Sequence, residues 1–329
     1  MAVRLGSSGL QWDAADAPPR LAACVDVVLR GVAQVMFQNN AYTGLLFVAG
    51  IFYSAPRLGW AALLGSAVGT AAAAWLGAER AQLRAGLYGF NGALVAIGVL
   101  LFLQPDAWGW ASALFGAAAS SVVTAALTQL LGRWNMPALT APFVFSTLGM
   151  LLASLRLGRL QAGETLPPAA LPKAMPVDAA ASAATVVHGL LNGIGQVFFQ
   201  GEVISGGLFV LGLLVASRRA GVAALAGSAV GLLAAWVLGA AEPALRAGLY
   251  GFNSVLVAIA LATVFLAGDA AAWLYALLAS AAAVFVAAAL SAAFEPFGLP
   301  ALTLPFVLVT WTFLFAASQF ERLRQPGAG

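Results

Sequence analysis

Four pairs of uncharged polar side chains stand inside apolar sequence, each pair 162 or 163 residues apart: Gln34/Gln196, Gln38/Gln200, Asn91/Asn253 and Thr140/Thr303. Paired aromatics accompany them, Phe37/Phe199 and Phe90/Phe252, with Leu94/Leu256 one helical turn beyond the second pair. No Asp, Glu, Lys, Arg or His is paired in this way, and no nucleophile–base set, Gly-rich phosphate loop or ATP-binding motif is present. The single Cys24 excludes an internal disulfide or Cys cluster, and the single His188 excludes a multi-histidine metal site. The chemistry on offer is therefore binding and release rather than catalysis, with no cofactor. Amides and hydroxyls exchange hydrogen bonds with a small neutral polar solute, and facing aromatic rings leave a flat slot for a planar one.

Each pair also has a bland reading. The Phe and Leu residues could be core packing, although their exact repetition speaks for a lumen because core positions tolerate swaps. The Gln pair could be a helix–helix hydrogen bond. The Asn pair is read as satisfying broken backbone. The Thr pair could bond the carbonyl one turn back, but the prolines around it (Pro137/Pro142, Pro300/Pro305) interrupt the helix and free carbonyls. Interrupted helices at matching points of two halves are a pointer to a transport site. Glu202 and His188 are singletons, aligned with Asn40 and Asp26, and are left without an assigned role.

The elements that must hold these residues are membrane helices. Of 329 residues 62% are hydrophobic and only 8% charged, against about 25% charged in soluble domains. This excludes a soluble enzyme, and the net charge of +3 is not a nucleic-acid signature. After an N-terminal segment (1–19), without a recognisable signal peptide, comes 20–38. It is apolar but interrupted by Asp26, Arg30 and Gln34, too polar for a full span and suited to a re-entrant half-helix. Spans follow at about 42–56, 58–77, 84–103, 107–131 and 137–156. A proline-rich linker, 157–182, leads to a second half-helix and five more spans within 183–317, then a polar tail, 318–329.

The two halves repeat. RAGLYGFNGALVAI (84–97) returns as RAGLYGFNSVLVAI (246–259), QVMFQNNAYTGLLFVAG (34–50) as QVFFQGEVISGGLFVLG (196–212), GSAVG occurs at 65–69 and 227–231, and MPALTAPF (136–143) returns as LPALTLPF (299–306). Five spans per half is odd, so the second half enters the membrane from the opposite side as an inverted repeat. The expected fold is an all-α polytopic membrane protein, two inverted homologous halves of five helices plus one re-entrant helix, with one pore. On this topology ten basic residues (Arg4, Arg20, Arg30, Arg80, Arg84, Arg133, Arg218, Arg219, Arg322 and Arg324) lie on the side of the termini and five on the other, which makes both termini cytoplasmic.

The doubled motifs QVMFQNN…TG, LYGFNGALV and MPALTAPF resemble the urea transporter family, whose LP-x-x-T-x-PF signature stands whole at 299–306 and with Met136 for the first Leu at 136–143. The resemblance runs from about residue 30 to 317. It implies a passive, channel-type facilitator of urea, homotrimeric with one pore per subunit, multi-pass in the cell (inner or plasma) membrane and in contact with lipid. By the same resemblance Gln34 and Gln196 are oxygen-ladder residues. Phe90, Leu94 and Val197 resemble one slot with Phe37 beside them. Phe252, Leu256 and Val35 resemble the other with Phe199, and Thr140 and Thr303 resemble the middle site. Ala41 and Gly201-Glu202 depart from the family pattern at the pore mouth. The alternatives are a channel for another small neutral solute (a short amide, ammonia or water) and a membrane scaffold that does not transport.

Overall fold

A computed structural model describes residues 4–11, 20–178 and 180–323. The N-terminal segment and the C-terminal tail thus lie partly outside the described residues. A short antiparallel hairpin, β1 (Arg4–Gly6) and β2 (Gly9–Gln11), precedes the helices. It is an addition to the all-helical expectation.

The rest is helical, and the two halves match element by element. In the first half α1 (Arg20–Gln34) is followed by α2 (Ala41–Ser54), α3 (Pro56–Trp75), the one-turn α4 (Arg80–Arg84), α5 (Gly89–Phe102), α6 (Ala107–Leu131) and α7 (Ala141–Ser154). In the second half α8 (Ala183–Gly195) leads to α9 (Val203–Ala216), α10 (Arg218–Val237), α11 (Glu242–Arg246), α12 (Gly251–Ile259), α13 (Ala270–Phe294) and α14 (Leu304–Ala317). α2 and α9 each have 14 residues, α3 and α10 each 20, α6 and α13 each 25.

Among the described residues five helical stretches are long and apolar enough to cross a membrane, or six if the bent pair α8–α9 counts as one. The remaining apolar helices, α2, α5, α7 and α14, are 14 residues each. At 1.5 Å per residue that is about 21 Å, short of a hydrocarbon core of about 30 Å. Five apolar helices per half stand at the predicted segments, but several are shorter than full spans. The 74° bend between Ala183–Phe198 and Val203–Ala216 is the geometry of a helix that does not continue straight across, as expected of the half-helix.

α12 differs from α5 in one respect. It runs on into a π-helical turn, Ala260–Phe265. A π-turn accommodates one inserted residue in an α-helix. This is where the repeat offset changes from 162 to 163: Asn91 matches Asn253, but the N-cap Asp106 of α6 matches the N-cap Asp269 of α13.

The described residues form two compact units. One holds those of Met1–Gly132, Pro142–Thr165 and Leu211–Ser217, the other those of Arg133–Ala141, Leu166–Val210 and Arg218–Gly329. Within each unit the repeated GSAVG makes a close helix crossing. A Cβ at Gly65 would lie 2.4 Å from Gly92 O, and one at Gly227 2.6 Å from Ser254 O. Ser66 Oγ donates to Val28 O (2.9 Å) and Ser228 Oγ to Leu190 O (2.7 Å), tying α3 to α1 and α10 to α8. Large apolar side chains such as Trp60, Phe115, Leu278 and Phe285 are exposed, a surface suited to lipid rather than water.

Candidate functional site

α1 ends in a tight turn. Phe37 N donates to Gln34 O (2.9 Å) and Gln38 N to Ala33 O (3.1 Å). This is the double bond of a Schellman cap. The residue in the left-handed position, where glycine is the usual choice, is Phe37 itself at φ 63°. The second half repeats it: Phe199 N to Gln196 O (2.9 Å), Gln200 N to Gly195 O (3.1 Å), Phe199 at φ 60°. A bulky residue there costs roughly 1–3 kcal/mol, and such strain clusters where function needs it. Gln38 and Gln200, both buried, fold back to brace these turns through Met36 O (2.7 Å) and Phe198 O (2.5 Å).

One residue into the turn stand Gln34 and Gln196. Gln34 Nε2 donates to Ala85 O (2.8 Å) and Gln196 Nε2 to Ala247 O (3.0 Å). With its nitrogen committed, each amide presents Oε1 as an acceptor, and both side chains are half-buried. The carbonyls they use belong to the duplicated Arg-Ala-Gly, where Gly86 and Gly248 both take φ 75°. A Cβ at Gly86 would lie 2.4 Å from Gly31 N, and one at Gly248 2.2 Å from Gly193 N, so only glycine lets this loop press on α1 and α8.

α5 and α12 carry the aromatic pair. From Gly89 to Leu100 every residue is buried except Phe90, and from Gly251 to Ala262 every residue is buried except Phe252. A partly buried Phe at one matching place in two otherwise fully buried helices sets these two side chains apart. Leu94 and Leu256, a turn further on, are fully buried, as are Val35 and Val197.

Asn91 and Asn253 have the backbone role expected of them. Asn91 Oδ1 accepts from Phe143 N and Asn253 Oδ1 from Phe306 N, both at 3.1 Å. These amides follow Pro142 and Pro305 in the first turns of α7 and α14, where no intrahelical acceptor exists. Just upstream Leu139 and Leu302 are also left-handed, both at φ 52°. The chain reversal they make brings Thr140 Oγ1 to 2.7 Å from Thr303 Oγ1, both side chains buried. The two threonines thus bond to each other, not to a carbonyl one turn back.

The sequence missed two features. The left-handed conformation of Phe37, Phe199, Leu139 and Leu302 has no residue-type signal. Arg30, assigned above to the basic count at a membrane face, is instead buried in an ion pair with Asp26 at 2.6 Å. Its i,i+4 spacing was a legible signal. A cavity of about 410 Å3 beside Trp134, Met136, Phe265 and Leu314 holds none of the candidate residues.

Taken unit by unit, each holds one amide oxygen able to accept an N–H donor and one partly buried Phe, and the second also holds the hydroxyl pair. Among the described residues no group of three His, Cys, Asp or Glu is placed to hold a metal. A family model described as "Urea transporter" matches residues 25–318. The chain is 33% identical to "Urea transporter 1" of Ovis aries over 313 residues, which is 92% of this chain and 79% of the sheep protein. It is 31% identical to "Urea transporter 1" of Rattus norvegicus over 309 residues, 90% and 77% of the two chains.

Proposed function

The chain belongs to the urea transporter family, and from that premise we propose that it conducts urea passively through a channel-like path with no cofactor. The carrying observation is the doubled Phe37/Phe199 turn, strained in both halves and adjacent in each to a glutamine whose nitrogen is pinned and whose oxygen is available. The proposed lining is Gln34, Val35, Phe37, Phe90 and Leu94 from the first half, Gln196, Val197, Phe199, Phe252 and Leu256 from the second, and the Thr140–Thr303 pair.

Urea sheds most of its water to enter a narrow apolar slot. The amide and hydroxyl oxygens replace the bonds its N–H groups lose, and the Phe and Leu surfaces accept its flat faces. An ion loses far more hydration energy than neutral dipoles return. Nothing in the path needs to titrate, so flux should not depend on a proton or sodium gradient. We further place the protein in the cell membrane as a homotrimer with a path in each subunit and both termini cytoplasmic. On this reading residues 20–156 and 183–317 are the two inverted repeats, joined by the linker 157–182.

Stopped-flow light scattering on proteoliposomes tests the reading. Urea influx should be rapid, saturable and indifferent to pH and sodium gradients. Influx no faster than in protein-free liposomes refutes it.

A further inference from the structure

We propose that Arg30 is a positioning residue for the first-half slot, the centre of an ionic clamp that holds Phe37 in its left-handed geometry. Arg30 Nε donates to Asp26 Oδ2 at 2.6 Å, one turn back on α1. Arg30 Nη1 reaches across the turn to Asn39, donating to its backbone O at 3.0 Å and its Oδ1 at 2.7 Å. One planar guanidinium therefore joins the helix before Phe37 to the chain after it, a bridge that the point charge of lysine cannot reproduce. Arg30 and Asp26 are 8% and 6% exposed, so the clamp works where water screens it least.

The N-terminal hairpin closes over it. Gly9, at φ 120° in the hairpin, sits so close that a Cβ there would lie 2.4 Å from Asp26 Oδ1 and 2.9 Å from Arg30 Nη2. Ser8 O accepts from Ala41 N (3.0 Å) and Ser7 O from Asn40 Nδ2 (3.2 Å). These contacts fix the far end of the same loop.

The second half has the strained turn without the clamp. Asn192 stands where Arg30 does, and its Nδ2 donates to Arg246 O (3.0 Å) instead of crossing the turn. Gly201 replaces Asn39, and His188 replaces Asp26. Around that turn Asn192 Oδ1 and Gln200 Oε1 are buried without a hydrogen-bond partner. Two turns of the same backbone shape thus differ in stiffness. The clamped Phe37 fixes the slot width that discriminates between planar solutes, while the Phe199 turn yields.

The inference rests on the reading that Phe37 lines the urea path, so two independent readouts are needed. The first is amide hydrogen exchange, which requires no transport. Exchange at Phe37 and Gln38 should be slower than at Phe199 and Gln200, and Arg30→Asn should speed the first pair by about tenfold or more, the factor that loss of a charge-assisted hydrogen bond supplies, leaving the second pair unchanged. The second is the ratio of urea to N-methylurea permeability, which Arg30→Asn should lower and added guanidinium should partly restore. Should Arg30→Asn not fold, Asn39→Ala keeps the Asp26–Arg30 pair, removes one arm of the clamp, and should shift both readouts the same way by less. Unchanged exchange at Phe37 and Gln38 overturns the clamp. Faster exchange with an unchanged permeability ratio overturns the positioning role. Wild-type vesicles without urea flux would instead contradict the proposed function, and exchange would still decide the clamp.

Discussion

The turn after α1 and the turn after α8 share their backbone bonds, their left-handed Phe and their pinned Gln, yet the polar side chains that tie them from outside differ. Gln38 and Gln200 brace both from within, but Arg30, Asp26, Asn39 and the hairpin hold the first from outside, where the second has Asn192 on Arg246 O. α5 and α12 show the same contrast: Phe90 and Phe252 occupy the same partly buried place, but α12 is followed by an extra residue two turns later. What is duplicated is the backbone of the two turns and the placing of Phe90 and Phe252. The scaffolding behind them has diverged, as expected if selection acts on the path geometry and only loosely on how it is held.

The sharpest way to break the claimed equivalence is at the Arg-Ala-Gly loops. Gly86→Ala and Gly248→Ala each add a Cβ into backbone at 2.4 and 2.2 Å and at a left-handed φ. Each should cost more than ~4 kcal/mol and yield no monodisperse folded protein on size-exclusion chromatography. A tolerated substitution in one half alone would show that the two loops do not play the same part.

The threonine pair comes next. Thr140→Val or Thr303→Val leaves one buried hydroxyl without its partner, a loss of about 1–2 kcal/mol or roughly 5- to 30-fold in urea permeability if the pair lines the path. The losses should match in the two single variants and should not add in the double variant, because one bond is removed. A smaller loss than a lipid-facing Leu→Val at Leu278 would remove the threonines from the path.

A milder test concerns the π-turn. Deleting Ala262 removes the inserted residue and returns α12 to the register of α5. The protein should fold with its unfolding midpoint lowered by a few degrees at most, or about 1 kcal/mol. Deleting Val99 from α5, which has no insertion to absorb it, should be far more damaging. Equal damage would mean that the bulge carries packing of its own.

Much of this was legible because the chain says it twice. The four polar pairs, the proline-flanked threonines and the ten apolar segments came from repetition combined with burial cost, and each has a matching element. The role of Asn91 and Asn253 followed from the prolines downstream, which leave an amide needing an acceptor. The change of offset was visible too, though only the π-turn explains it. What was hidden was conformational: Phe and Leu carry no signal for a positive φ, because the surrounding structure imposes it. Helix length was also overestimated. Apolar runs were counted as spans, whereas α2, α5, α7 and α14 stop at 14 residues because Asn40, the Tyr88 turn, and the loops before Ala141 and Leu304 set their starts.

The smallest expected effect separates α4 from α11. Neither the N-cap of α4, Glu79, nor that of α11, Ala241, supplies a side-chain bond to its helix. α11 is capped instead from the linker, where Asp178 Oδ2 accepts from Glu242 N (2.9 Å) and Oδ1 from Ala180 N (3.0 Å). These two N–H donors, that of Glu242 foremost, hold the Asp178 carboxyl below its ordinary range. The depressed value fixes the sign: the contribution is in place above the unfolded carboxylate pKa of about 3.9 and is lost as pH falls through the folded one. Hydrogen exchange at Glu242 N should therefore accelerate below about pH 4, beyond its intrinsic pH dependence, in the wild type and not in Asp178→Asn, which keeps an acceptor that does not titrate there. The exposure of Asp178 keeps the effect small and salt-sensitive. The same acid step at the α4 amides would mean that the linker cap does not distinguish the two helices.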